Sequence, residues 1–321
     1  MASYNRLVRF IPKSTSTSTS ASTSSDEPLI GEPCDPTLDV GLASYNSQPI
    51  HVSTFTGSSV LSPGQRTGEK VMVGRILSPL SEGEVGTIRC IGLNYINHAK
   101  EVGMDIPIVP TLFMKPATAL ADPYPAPTVI PKAFVGDQAA DYEAEFVIVI
   151  GHHHHDPSNR KVCKDVSEEN AMDYVAGYTA ANDLSSRKRQ FETSQWGFSK
   201  GFDGACPIGP AFIPKEAVGG MGDAVGKKGG LNLKEVTIRG ARNGVVCQDS
   251  TLDDLIFSVP KIVAFLSQGT TLRPGTIILT GTPAGVGWSS TPKNLLQDGD
   301  EFSVYVSHGV GTLINKIQEE K

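Results

Sequence analysis

Several common signatures are missing from this chain, and each absence removes a class of function. There is no CxxC pair, and the cysteines, Cys34, Cys90, Cys163, Cys206 and Cys247, are odd in number and widely spaced. That is the usage of a reducing compartment with free thiols, not of a disulfide framework. No apolar run approaches the roughly 20 residues that a membrane helix needs. The most apolar stretches, 146–150 and 276–279, are strand-sized. Basic residues are not in excess: 28 Lys and Arg stand against 34 Asp and Glu, a formal net charge of −6. A nucleic-acid partner, which needs a basic face, is not expected, and neither is a membrane. No internal repeat and no βαβ alternation is evident.

What is present is the composition of a globular protein: 39% apolar, 19% charged, with 33 glycines and 22 prolines that favour turns and short strands. At ~100–200 residues per domain, the chain has room for one large domain or two, and for a substantial core. Residues 1–25 hold no acid and three bases, Arg6, Arg9 and Lys13, a loose match to a mitochondrial transit peptide. The apolar–polar alternation over 4–10 instead reads as a half-buried strand of the fold. We therefore expect a cytoplasmic protein, with a mitochondrial address as the alternative. Residues 14–25 are almost pure Ser and Thr and predict a disordered loop. Residues 29–80 predict a small, mostly β region without a cluster of chemically useful residues.

Beyond it, 88–92 predicts a strand feeding a helix over 94–101. The Pro-rich passage 107–131 leaves little room for regular structure. The strongest strand spans 141–150, a helix over 167–174 takes Ser167 as its N-cap, and a further strand runs into 180–183. A hairpin joins 235–240 to 244–248. An amphipathic helix covers 253–266 with Pro260 inside it. A buried strand follows at 276–280, and 301–306 and 311–317 supply closing strands. The fold class is mixed β/α, mostly β, with a few short packed helices.

Chemistry concentrates at 141–150. Side chains alternate across a strand, so Glu143 and Glu145 point to one side. Two such carboxylates repel unless a positive charge lies between them. The strand continues into core material, and two acids at its mouth suggest a hard cation with oxygen ligands; the rival reading is a solvated face with two surface charges. Asp183 ends an uncharged strand and adds a third carboxylate at the sheet rim, a set suited to Mg2+ or Mn2+; taken alone it reads as a turn or helix cap. His98 and Glu101 share a helix face, where a Glu orients a His as general base, unless both simply face water. Lys200, among the aromatics and glycines of 196–210, is placed to meet an anion or a developing oxyanion, or else snorkels at the surface. The glycine-rich turn 280–287 exposes N–H groups to carboxylate oxygens.

Six segments occur in one order: IGLNYINHAKEVG (91–103), PTLFMKPATAL (110–120), DYEAEFVIVIG (141–151), YVAGYTAANDLSSRKRQ (174–190), KGFDGACPIGP (200–210) and IILTGTPAGVG (277–287). Together they resemble the fumarylacetoacetate hydrolase family over about 89–317. The resemblance implies a β-sandwich roll, usually a homodimer, in which residues 1–85 are a small leading region and 86–321 the catalytic domain. It implies Glu143, Glu145 and Asp183 as ligands of Mg2+ (or Mn2+). His98 and Glu101 become a dyad on a mobile lid that activates water, and Lys200 assists at the cation-bound oxygen. Gln190, Thr282, Arg187 and Gly281 become substrate contacts.

The activity implied is hydrolytic cleavage of a C–C bond in an acylpyruvate or related 1,3-dioxo acid. Rivals that share the enolate chemistry are oxaloacetate decarboxylation and isomerisation or hydration of a ring-cleavage or secondary-metabolite oxo-acid. A non-catalytic binding protein would have lost a ligand or dyad residue, and none is lost. Two departures stand out. Lys188, followed by Arg189, replaces the acid that commonly follows the arginine of the family's SxRD segment, which predicts a more basic rim. His152 to His155 follow Gly151, which predicts a solvated hairpin tip rather than a metal site.

Overall fold

The computed structural model describes residues 4–14, 27–153, 161–217 and 233–321. The expected Ser/Thr loop lies almost wholly outside the described residues. The N-terminal alternation does become a strand, set a few residues further on: β1 (Val8–Pro12). With β2 (Leu29–Pro33), β3 (His51–Phe55) and β4 (Arg66–Leu77) it closes an antiparallel barrel. Leu7 and Phe212 exchange two backbone hydrogen bonds of 2.8 Å, which docks the barrel on the remainder.

The other strands are β5 (Ile88–Gly92), β6 (Thr111–Lys115), β7 (Leu120–Ala121), β8 (Thr128–Ile130), β9 (Ala140–Asp141), β10 (Ala144–Ile150), β11 (Val175–Asn182), β12 (Ser185–Ser186), β13 (Cys206–Pro214), β14 (Thr237–Arg242), β15 (Val245–Thr251), β16 (Ile277–Leu279), β17 (Glu301–Val306) and β18 (Gly311–Glu319). They form a seven-stranded sheet, β6-β5-β16-β10-β11-β13-β7, a five-stranded sheet, β15-β14-β17-β18-β8, and the pair β12-β9. The larger sheet packs against the smaller through β10 and β11 on β17 and β10 on β14, with Tyr142 stacked on Phe302 at 4.4 Å. Every residue of β10 and β13 is buried. A strand covered on both faces has no reason to alternate, which explains the continuous apolar run at 146–150. The mostly β expectation with short helices therefore holds.

Topology sets the site. β10 is antiparallel to β11 and β16, β13 is antiparallel to β11, and β16 is parallel to β5. The N-terminal ends of β10 and β13 and the C-terminal ends of β5, β11 and β16 therefore meet at one rim of the sheet.

Several local expectations need correction. The Pro-rich passage holds β6, β7 and β8, because its prolines fall between strands. The strand over 141–150 breaks at Tyr142 and Glu143, so alternation alone does not align Glu143 with Glu145. The helix expected over 94–101 starts at Ile96, since Tyr95 makes a β-bridge to Leu255. Residues Glu168–Tyr174 form a 3-10 helix; Ser167 is its N-cap as expected, with its hydroxyl accepting from Asn170 Nδ2 (3.0 Å) and not from a backbone N–H. Pro260 lies in the first turn of the helix Val259–Leu266, where its missing N–H is harmless, and Ser258 is the N-cap. His153 is buried rather than solvated, edge-on to Tyr174 at 4.9 Å; His152 is exposed, and His154 and His155 lie outside the described residues. All five cysteines are free. Among the described residues no helix is long and apolar enough to cross a membrane.

Candidate active site

Three carboxylates converge at the rim. Glu143 precedes β10, Glu145 lies within it, and Asp183 directly follows β11. Each is buried and offers an oxygen within 4.8 Å of the others. The register Ala144↔Asn182 and Glu145↔Ala181 brings Asp183 beside Glu143, and the Asp183 N–H donates to the Glu143 carbonyl (2.9 Å). The Glu143 N–H in turn donates to Asn182 Oδ1 (3.1 Å), which steadies the break in the strand.

Buried charge of the opposite sign surrounds this cluster. Lys200 Nζ lies 2.8 Å from Glu143 Oε2 and 2.9 Å from Asp183 Oδ2. Lys115 Nζ lies 2.6 Å from Asp183 Oδ1 and donates to the Ala205 carbonyl (2.7 Å). Arg187 donates from Nε to Asp141 Oδ2 (2.8 Å) and pairs its Nη1 with Glu143 Oε1 at 2.6 Å. Burial pushes the Glu143 carboxyl up, but Lys200 and Arg187 outweigh it and hold the group below its ordinary value. Burial pushes the Lys200 ammonium down, but Asp183 and Glu143 outweigh it and raise the group.

Glu145 differs. Among the described residues it pairs with no side-chain cation, and its Oε2 accepts from the Gly281 N–H at 2.5 Å. Burial, then the Asp183 and Glu143 carboxylates, push its carboxyl well above the usual range. Four buried acids, counting Asp141, thus face three buried bases. A hard divalent cation fits here: the donors are all carboxylate oxygens, and Glu145 among them has no counter-charge of its own among the described residues.

His98 and Glu101 lie on the short helix Ile96–Glu101, with His98 Nδ1 at 2.7 Å from Glu101 Oε2. A carboxylate only accepts, so Nδ1 carries the proton and Nε2 is the basic atom. Glu101 Oε1 accepts from the Gly285 N–H (2.9 Å), which joins the dyad to the turn after β16. That turn requires glycine: Gly285 has φ +108°, and a Cβ would fall 2.0 Å from the Cys247 carbonyl oxygen. The helix is rooted by Asn94, whose amide spans the Phe257 and Thr280 backbones, and by Asp254, which accepts from the Asn97 N–H (3.1 Å).

A family model described as "Fumarylacetoacetate (FAA) hydrolase C-terminal" matches residues 87–318. The chain belongs to the fumarylacetoacetate hydrolase family. It is 42% identical over 327 residues to "Caffeoylpyruvate hydrolase" of Neonothopanus nambi, covering 100% of this chain and 95% of that protein. It is 35% identical over 230 residues to "Oxaloacetate tautomerase FAHD2A, mitochondrial" of Homo sapiens, covering 71% of this chain and 65% of that one. The solved structure of 2-hydroxyhepta-2,4-diene-1,7-dioate isomerase from Mycobacterium marinum aligns with a TM-score of 0.71 at 28% identity, covering 98% and 99% of the two chains.

In this family member a cavity of about 540 Å³ opens over the rim. His98, Glu143, Arg187, Gln190, Lys200 and Thr282 line it. Glu101, Glu145 and Asp183 stand behind that lining. Gly281 is not part of that lining; its N–H donates to Glu145 Oε2. The Thr282 hydroxyl donates to the Ala144 carbonyl (3.0 Å) and accepts from Gln248 Nε2 (2.7 Å). Gln190 Oε1 accepts from Arg187 Nη1 (2.9 Å). Lys200 is buried, so the snorkelling alternative falls. Lys188 does not make the cavity basic: its ammonium reaches Asp137 (3.0 Å) on the outer face.

Sequence reasoning passed over Lys115, Asp141 and Gln248. Lys115 lies inside a quoted segment, but nothing near it in sequence pairs with it. Asp141 heads the glutamate segment, yet its role emerges only when it accepts from Arg187, Gly287 and Trp288.

Proposed function

We propose that the protein is a divalent-cation-dependent hydrolase that cleaves the C–C bond of acylpyruvates, with Glu143, Glu145 and Asp183 as cation ligands and Mg2+ or Mn2+ as the ion. The observation that carries the reading is His98, held by Glu101, lining the same cavity as Glu143 of the carboxylate cluster. Hydrolysis needs a base for water; tautomerisation and decarboxylation do not need an attacking water. The relative named caffeoylpyruvate hydrolase supports the same reading.

Bound between the three carboxylates, the cation would act as a Lewis acid on the oxo-acid end of the substrate. His98 Nε2 takes a proton from water, with the positive ring held by Glu101. The hydroxide adds to the distal carbonyl carbon. The bond between that carbon and the methylene breaks, and its electron pair leaves on pyruvate as the enolate. His98 returns the proton to the former methylene carbon, which becomes the methyl group of pyruvate. One acylpyruvate and one water give one carboxylic acid and one pyruvate. Lys200 places its charge where the oxyanion develops. Arg187 and Gln190 face the substrate, and Arg187 also fixes Glu143.

The same rim serves a second reading. Oxaloacetate is a small oxo-acid of the same kind, and the human relative is named an oxaloacetate tautomerase. The division into 1–85 and 86–321 belongs to the proposal, since every site residue falls in the second segment. So do a homodimer, supported by the exposed apolar residues Ile108, Leu112, Met114 and Phe198, and a cytoplasmic rather than mitochondrial location.

The test is an assay of chelator-treated protein resupplied with Mg2+ or Mn2+, against acetylpyruvate, fumarylpyruvate and oxaloacetate. We expect cation-dependent cleavage of an acylpyruvate, and a loss of about 10²–10⁴-fold in kcat for His98→Ala. Full activity in that variant sinks the role of His98. Turnover of oxaloacetate alone moves the assignment to the second reading.

A further inference from the structure

The cavity has two ends of different chemistry. Its buried end holds Glu143, Arg187, Lys200 and Thr282. Its exposed end is walled by Phe191, Trp196 and Trp288, with Met104 and Pro107 beside them. The sequence contains two tryptophans, and both are here.

These rings are held in place by specific features of the fold. Gly92 at the end of β5 lacks the Cβ that would fall 2.7 Å from the Trp196 ring. Trp196 meets Phe113 edge-on at 5.3 Å. The Trp288 backbone N–H donates to Asp141 Oδ2 (3.0 Å), the oxygen that also accepts from Arg187 Nε. One carboxylate therefore holds both the guanidinium of the floor and the backbone that carries the Trp288 indole. Phe191, one residue after Gln190, lies 5.6 Å from Trp288 with the ring planes inclined by 38°. Phe191 is 66% exposed, an apolar ring that gains from a cover.

Charge sharpens the reading. Among the described residues, the cations that line the cavity, Arg187 and Lys200, are both engaged at the buried end. Lys293 places its ammonium over the Trp288 ring and does not line the cavity. The charged side chain at the exposed end is Asp105. A second substrate carboxylate reaching this end would lose water against aromatic faces and meet a like charge. A planar uncharged ring would gain contact with those same faces.

We propose that the exposed end is a subsite for an aromatic acyl arm. The preferred substrates then carry one carboxylate, at the oxo-acid end, and a planar ring at the other; they are not dicarboxylates. Phe191, Trp196 and Trp288 set this selectivity. The proposal rests on the oxo-acid reading of the buried end.

The test compares benzoylpyruvate, acetylpyruvate and fumarylpyruvate on Mg2+-supplied protein, both as kcat/KM and as calorimetric Kd. Benzoylpyruvate should lead fumarylpyruvate by about ten-fold or more, the scale on which a shaped apolar pocket discriminates. F191A and W288L should each shrink the ratio of benzoylpyruvate to acetylpyruvate by roughly five-fold, within the same range. Phe191 is exposed, so F191A spares the core even if W288L disturbs folding. Equal or better handling of fumarylpyruvate, no binding of benzoylpyruvate, or an unmoved ratio in F191A overturns the subsite. If no acylpyruvate is cleaved, the hydrolase reading fails by itself, and the ranking of Kd values still decides the arm.

Discussion

The N-terminal barrel and the carboxylate rim use the same antiparallel pairing, yet they bury different things. In the barrel Val8, Phe10, Ile30, Val52 and Ile76 leave water, while β4 begins with five exposed residues. Its buried charge is Arg6, whose guanidinium donates to the Asp35 carbonyl (2.6 Å). At the rim, Lys115, Asp141, Glu143, Glu145, Asp183, Arg187 and Lys200 are all buried. Apolar burial stabilises by roughly 25 cal/mol per Å². An ion taken from water costs several kcal/mol before its partners offset it. A fold has no need of seven such groups together. The contrast assigns the barrel to stability and the rim to chemistry.

The largest effect should come at Glu145. Glu145→Gln keeps the shape and removes the charge. Divalent-cation binding, read by calorimetry, should be lost, and kcat/KM should fall by on the order of 10³-fold, since several kcal/mol of charge stabilisation leaves with the ion. Full activity after chelation would break the comparison at once.

Phe10→Ala tests the other side. Emptying a buried aromatic position costs about 3–5 kcal/mol, measurable by urea unfolding. The cation Kd of the folded fraction should stay as in the wild type. A shift in that Kd would show that barrel and rim are not separate in function.

Lys115→Met sharpens the rim itself. If Lys115 aims Asp183, cation affinity should drop by about 10–100-fold, as when other partners of metal ligands are removed. Simple loss of a positive charge predicts tighter binding instead, so the sign of the change decides.

The smallest effect concerns Asp300, which is not part of the cluster. Burial raises its carboxyl, but hydrogen bonds from Asn243, Arg242 and the Gln297 N–H outweigh that and hold it below its ordinary 3.8. A depressed folded pKa gives stability that is present above the unfolded value and lost as pH falls through the folded one. Asp300→Asn should lower Tm at neutral pH, and the gap to the wild type should close as pH drops below 3.8. A gap independent of pH would assign the loss to geometry rather than charge.

Much of this was legible along the chain. Strands 88–92, 276–280 and 301–306 announced themselves through apolar runs, and the hairpin expected over 235–240 and 244–248 forms as β14 and β15, shifted by a few residues about the turn at Asn243 and Gly244. The dyad was legible because its partners are three residues apart. Lys115 was not, because it ends β6 while its partner Asp183 follows β11, with β5, β16 and β10 between them in the sheet. The Pro-rich passage misled because composition counts prolines without placing them between strands. The glutamate strand misled because the Glu143 N–H finds its partner in the side chain of Asn182, on the neighbouring strand, and not in a regular ladder.

By itself the sequence determined which side chains are available and which stretches are strands. Those follow from local physics: alternation, apolar runs, turn residues and spacing along one helix. Only the tertiary structure decided which charges meet. The direction of each strand at the rim places Glu145, Asp183, Gly281 and Lys200 together, and it leaves Lys188 outside on Asp137. Charges interact through space and not along the chain, so their pairing could be known only once the sheet had brought them together.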